Sequence, residues 1–262
     1  MDLRLTGKSV IVCASSDGLG KAAAMEFARE GAKVMLAARR AGALEAAAAE
    51  IKAQTGQEVR HTVADLTKAE DITRLVEETA AAYGGVYTLV NNGGGPPAGT
   101  FDKFDDAAWQ KAFELNLLSY VRTIRAVLPH LRAGGEGRIV NFTSSSVKSP
   151  IENLILSNTF RTGVLGLTKT LAGELGKDRI LANVVGPGRI HTARIKDLDG
   201  IRAAKIGASI EQVEAEACKA IPLGRYGQPA EMARLAVFLG SPANTYITGQ
   251  TVLADGGMVR AY

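Results

Sequence analysis

Val10-Ile-Val-Cys-Ala-Ser-Ser-Asp-Gly-Leu-Gly20 joins an apolar run to a glycine-spaced turn, and Lys21-Ala-Ala-Ala-Met-Glu-Phe27 follows with helical composition. An unalternated run of this kind reads as a strand covered on both faces of a sheet. Gly18 and Gly20 let the backbone come close to a bulky anion such as a pyrophosphate. The helix opening there presents unpaired N–H groups and the positive end of its dipole to the same anion. Outward from this unit the pattern repeats. Apolar runs at 9–13, 33–38, 59–63, 87–91, 138–142, 181–185 and 251–253 alternate with helical patterns at 18–30, 41–54, 69–83, 106–131, 152–175 and 229–239, with a helical insert at 209–219. Strands alternating with helices predict βαβ units and a parallel sheet.

Composition narrows the class. The chain has 262 residues, 46% of them hydrophobic, with no Ser/Gly- or Pro-rich linker, so one globular domain over 1–262 is expected. Residues 1–7 lack a basic segment followed by an apolar run, and no stretch of about 18 apolar residues occurs, so a cytoplasmic protein without a membrane partner is expected. Cys13 lies inside an apolar strand and is far in sequence from Cys218; buried free thiols are the simpler reading than a disulfide or a metal pair, and no metal site is expected. The net charge of +4 comes from scattered Lys and Arg without interleaved aromatics, which argues against nucleic acid and fits a small anionic ligand.

The second strand ends in Ala37-Ala-Arg-Arg40, about twenty residues after the glycine turn. An Asp or Glu at its tip would bind the free 2′-hydroxyl of NAD. Ala38 stands there instead, and Arg39 and Arg40 follow with donors for a 2′-phosphate. NADP(H) is therefore favoured, with NAD(H) as the alternative, and the charge of Asp17 tempers the preference.

Further motifs occur in order. They are Ala64-Asp-Leu66, Asn91-Asn-Gly-Gly94, Ser144 after the fifth strand, Gly186-Pro-Gly-Arg-Ile-His-Thr192, Ile247-Thr-Gly-Gln250 and Asp255-Gly-Gly257. With the glycine turn, in which Ala14 replaces the family's first glycine, the whole chain resembles the short-chain dehydrogenase/reductase family. The resemblance implies an α/β, single-domain, doubly wound Rossmann fold with a seven-stranded parallel sheet flanked by helices. It implies a dinucleotide held by Ser16, Asp17, Gly18, Leu19 and Gly20, by Asp65 and Leu66 at the adenine, by Asn92, Gly93 and Gly94, and by Pro187, Gly188, Ile190 and Thr192 near the nicotinamide. It also implies a homotetramer packed through the 106–131 and 152–175 helices, and a variable substrate lid at about 193–221.

Among catalytic positions, Asn116 matches the family Asn that anchors a relay water, and Ser144 the Ser that steadies the substrate oxygen. The Tyr and Lys positions are occupied by Ser157 and Arg161, four residues apart and so on one helix face. A tyrosine titrates near 10 and is tunable, whereas an aliphatic hydroxyl is a far weaker acid, so Ser157 is not expected to replace it. Arg161 stays cationic and can hold ribose hydroxyls, an alkoxide or a substrate carboxylate as well as cofactor. Loss of a positioned acid removes about 10²–10⁴ in rate, while proximity of donor and acceptor persists. Lys148 and His191 are other nearby proton donors, more simply read as exposed charges, and Tyr120 and Tyr226 read as packing residues. Arg189, Arg194 and Lys196 allow an anionic substrate, though surface charge is the simpler reading. The leading expectation is an oxidoreductase acting on a carbonyl or alcohol, resembling 3-oxoacyl-carrier-protein reductases, with an atypical centre. The alternative is a dinucleotide-binding sensor or assembly protein without redox chemistry.

Overall fold

The computed structural model describes residues 1–261. Seven strands form one parallel sheet, β1 (Ser9–Cys13), β2 (Lys33–Ala38), β3 (Arg60–Val63), β4 (Thr88–Asn91), β5 (Gly137–Phe142), β6 (Ile180–Pro187) and β7 (Thr251–Ala254), in the order β3-β2-β1-β4-β5-β6-β7. All residues of β1, β4 and β5 are buried, as double coverage requires. Along β1, Val10 and Val12 face a core built with Phe27, Leu44, Val90 and Met232, and Ile11 and Cys13 face another built with Leu75, Val127, Ile139 and Leu175.

One layer comprises α1 (Gly18–Arg29), α2 (Ala41–Thr55) and α9 (Pro229–Leu239); the other comprises α3 (Ala69–Tyr83), α5 (Ser119–Ala133) and α6 (Ile155–Leu175), with α4 (Asp106–Phe113) leading into α5. β1 pairs with β2 on one side and β4 on the other, and the chain leaves β1 toward β2 but leaves β4 toward β5, in the opposite direction. Loops following β1 and β4 therefore diverge above the sheet at this point, the place where doubly wound folds leave a crevice. No helix among the described residues is long and apolar enough to cross a membrane.

Three elements differ from the sequence reading. The helix expected over 106–131 is divided: between α4 and α5, Glu114–Leu118 forms a π-turn that includes Asn116. Hydrophobic periodicity continues through such an insertion, so pattern alone does not reveal it. The helix expected from 152 begins at Ile155, with Asn153 at φ 58 just before it. The stretch after Thr192, read as a lid with one helical insert at 209–219, forms two helices, α7 (Ala193–Ile206) and α8 (Ile210–Cys218). The mixed charge of α7 hides its single buried stripe, Asp199 and Ala203. Cys13 is buried and Cys218 half-buried, both as free thiols.

Candidate active site

Two loops build the floor. After β1 the chain turns through Ala14, which has φ 47, and Gly18, at φ 56, into α1. Asp17 caps α1 without a side-chain hydrogen bond to it, so the first N–H groups of the helix are left for another acceptor. Gly20 is required by contact: a Cβ there would lie 2.3 Å from the Ala14 carbonyl oxygen and 2.9 Å from Asn92 Nδ2. Asn92, in the loop after β4, donates to the Ala14 oxygen at 3.2 Å and ties the two loops together.

A cavity of about 500 Å³ opens over these loops. Of the residues singled out from the sequence, Asp17, Gly18, Leu19, Asn92, Gly93, Gly94, Ser144, Ser157, Arg161, Pro187, Gly188, Ile190 and Thr192 line it. Gly20 lies beneath the turn, while Ser16, Arg39, Arg40, Asp65 and Leu66 fall outside the lining. Arg39 and Arg40 are exposed, with Arg40 at the N-cap of α2. Asp65 accepts from the backbone and hydroxyl of Thr67 at 3.0 and 2.8 Å.

Ser144 follows β5 and accepts the Ser146 N–H at 3.1 Å, leaving its own hydroxyl proton to be donated elsewhere. Ser157 and Arg161 stand one turn apart on α6, 6% and 7% exposed. Arg161 donates to the carbonyls of Phe142 and Gly93 at 3.3 and 3.4 Å. Asn116, aimed by the π-turn, donates to the Gly94 carbonyl at 2.8 Å, and its Oδ1 is buried without a protein partner among the described residues. Thr143 Oγ1 is a second buried orphan beside Ser144. Tyr120 is fully enclosed; it donates to the Phe142 carbonyl at 2.7 Å, and burial pushes its phenol up to about 12. It is a packing residue outside the cavity lining, as is Tyr226.

His191 is outside the cavity, facing Glu214 at 3.4 Å and the Tyr226 ring at 5.2 Å, and Lys148 is exposed. Neither lines the cavity. Sequence reading passed over Thr143, Leu154 and Met258, which carry no motif and join the lining because three separate elements converge there. It also missed Asp199, which takes up the charge of Arg189 at 2.6 Å and accepts from the Tyr226 hydroxyl at 2.9 Å. This trio, with Asp199 and Tyr226 buried and Arg189 half-buried, fastens α7 to the loop after β6. Among the described residues no group of three or more His, Cys, Asp or Glu is placed to hold a metal.

The residues present fit a dinucleotide. An uncapped helix start, a glycine turn that a Cβ would block and a mostly apolar cleft at the switch between β1 and β4 are what a pyrophosphate and a flat ring require. Comparison with known proteins points the same way. Residues 13–259 match a family model described as enoyl-(acyl carrier protein) reductase. The chain is 34% identical over 256 residues to 2-keto-3-deoxy-L-fuconate dehydrogenase of Xanthomonas campestris, covering 97% of this chain and 81% of the relative. It is 32% identical over 259 residues to the 3-oxoacyl-(acyl-carrier-protein) reductase of Thermotoga maritima, covering 98% and 100%. The structure of L-sorbose reductase from Gluconobacter frateurii, complexed with NADPH and L-sorbose, superimposes with a TM-score of 0.95 at 32% identity over 100% of both chains.

Proposed function

Because this chain belongs to the short-chain dehydrogenase/reductase family, we propose that its cavity holds a nicotinamide dinucleotide, NADP(H) in preference to NAD(H), beside a carbonyl or alcohol substrate. The observation that carries this reading is that Ser144, Ser157 and Arg161 meet in one cavity with the uncapped start of α1. NADPH in the L-sorbose reductase complex supports the preference, as do Arg39 and Arg40 beside the start of α2. A cytosolic homotetramer packed through α4, α5 and α6 goes with this reading.

When bound, the cofactor supplies or accepts the hydride. Gly18, Leu19, Asn92, Gly93 and Gly94 hold the dinucleotide, with Pro187, Gly188, Ile190 and Thr192 at its nicotinamide end and Ser16, Asp65 and Leu66 farther along. Ser144 donates a hydrogen bond to the substrate oxygen and keeps its proton. Arg161 places a fixed positive charge where negative charge develops, a contribution that needs no proton transfer. Ser157 has no proton-releasing group tunable toward neutral pH as a tyrosine phenol is, so the proton is relayed from bulk solvent through water or comes from the substrate itself. The buried Oδ1 of Asn116 can accept from such a water.

One observation favours the second reading, a dinucleotide-binding sensor without turnover. Among the described residues the cavity is lined by one carboxylate, Asp17, and three arginines, with no Tyr, His, Lys or Cys to act as an acid. The two readings part in one experiment. Calorimetric titration with NADPH and NADH is followed on the same sample by cofactor oxidation against ketones, quinones and 3-oxoacyl thioesters. Tight NADPH binding with turnover is expected; binding without turnover assigns the sensor role, and no binding defeats both.

A further inference from the structure

Arg161 is the most deeply buried cation of the cavity lining, and it forms no ion pair among the described residues. Its donors go to uncharged acceptors, the carbonyls of Phe142 and Gly93 at 3.3 and 3.4 Å and the Tyr120 hydroxyl. Both carbonyl distances are long for a charge-assisted bond. Arg194 reaches the same loop from α7. Its Nη2 donates to the Pro96 carbonyl at 2.8 Å, and it passes so near Gly95 that a Cβ there would lie 3.0 Å from Nε. Arg194 is exposed and forms no salt bridge among the described residues; desolvation holds it below the usual guanidinium range, the charge of Asp197 opposes this, and Arg161 adds a smaller lowering effect. Arg189, the third cation of the lining, is different because Asp199 meets its charge at 2.6 Å.

Two guanidiniums thus flank residues 93–96, the buried Arg161 and the solvent-facing Arg194, neither in a salt bridge among the described residues, in a cavity whose other walls include Leu154, Ile195 and Met258. Desolvating the Arg161 charge is costly, and no carboxylate among the described residues forms a salt bridge with it. A bound anion would. The small side chain of Ser157, one turn before Arg161, leaves open the approach that a tyrosine ring would fill. Resting on the oxidoreductase reading, we propose that the substrate carries a carboxylate next to its reacting carbonyl or carbinol, making it a short oxo acid or hydroxy acid, and that Arg161 and Arg194 hold this carboxylate against the 93–96 loop. A planar carboxylate matches the guanidinium fork, and competition by inorganic phosphate tests that choice of anion.

The test is calorimetric titration of the protein, alone and saturated with NADP⁺, by 2-oxobutanoate and 3-oxobutanoate and by their methyl esters. At least one acid is expected to bind about tenfold or more tightly than its ester, the range of a charge-assisted pair. Arg194→Gln removes that preference and leaves NADPH affinity unchanged, and Arg161→Lys, which keeps the charge but loses the fork, weakens it in part. Esters that match their acids, a set in which no acid binds, or inorganic phosphate that outcompetes every acid would each overturn the assignment. So would an Arg194→Gln protein that loses NADPH in place of the acids. Failure of NADPH to bind defeats the cofactor reading alone, because the acid and ester comparison on the cofactor-free protein reads the anion site by itself.

Discussion

At the scale of single residues, four positions test what this protein does and how its fold is held. Ala14 stands at φ 47, in the left-handed region where a Cβ is strained, at the position held by glycine in the family pattern. Ala14→Gly is expected to stabilise the fold by about 0.5–1 kcal/mol, the relief of strain less the extra freedom of glycine in the unfolded chain, read as a higher urea midpoint. A lower midpoint would mean the methyl packs usefully in the turn. Arg39 tests cofactor choice. Arg39→Ala should weaken NADPH by about 10–100-fold and leave NADH little changed, since only the former loses a charge-assisted contact; an equal effect on both sinks that role. The Ser157 and Arg161 pair tests chemistry. Restoring Ser157→Tyr together with Arg161→Lys should raise carbonyl reduction by about 10² or more if only the acid is missing. No gain would mean that the pocket has diverged around the substitution.

At the scale of elements, the π-turn Glu114–Leu118 and helix α7 position the site from opposite sides. The extra residue in the turn aims Asn116 inward at the Gly94 carbonyl, a use of π-turns common at functional sites. Helix α7 is held by charge rather than by apolar area. Asp199 is 2% exposed and receives both Arg189 and the Tyr226 hydroxyl, whose phenol is pushed up by burial and by the Asp199 hydrogen bond. Asp199→Asn leaves Arg189 without its counter-charge and should cost about 2–4 kcal/mol, seen as a fall in urea midpoint with the slope unchanged. A change below about 0.5 kcal/mol would show that α7 is secured by other contacts.

At the scale of the whole molecule, the face of the sheet covered by α5 buries two groups that ionise only at alkaline pH. Burial pushes the Cys13 thiol from 9.0 to about 12 and the Tyr120 phenol from 10.0 to about 12. In the unfolded chain these groups lose their protons first, so their support for the folded state is complete below about pH 9 and is lost as pH climbs toward about 12. The urea midpoint should therefore fall steadily over that window, and Cys13→Ala should flatten its lower part. A midpoint that stays level from about pH 8 to about pH 11 would show that these groups ionise without unfolding.

What the sequence determined by itself was the βαβ order, the glycine turn and the family motifs, because strand burial and close backbone approach leave periodic, local signatures in residue type. That Ser157 stands at the spacing where the family resemblance places a tyrosine was equally legible, since it is a matter of which residue occupies one position. Only the tertiary structure decided which charges are met and which are not. Arg189, Arg194 and Arg161 look alike in the chain, yet Asp199 of α7, ten residues away, neutralises the first, while Arg194 and Arg161 form no salt bridge among the described residues and donate to carbonyls and a hydroxyl over one cavity. The π-turn at Asn116 was hidden for the same reason: its register is fixed by packing between helices and sheet, and side-chain periodicity does not record one inserted residue.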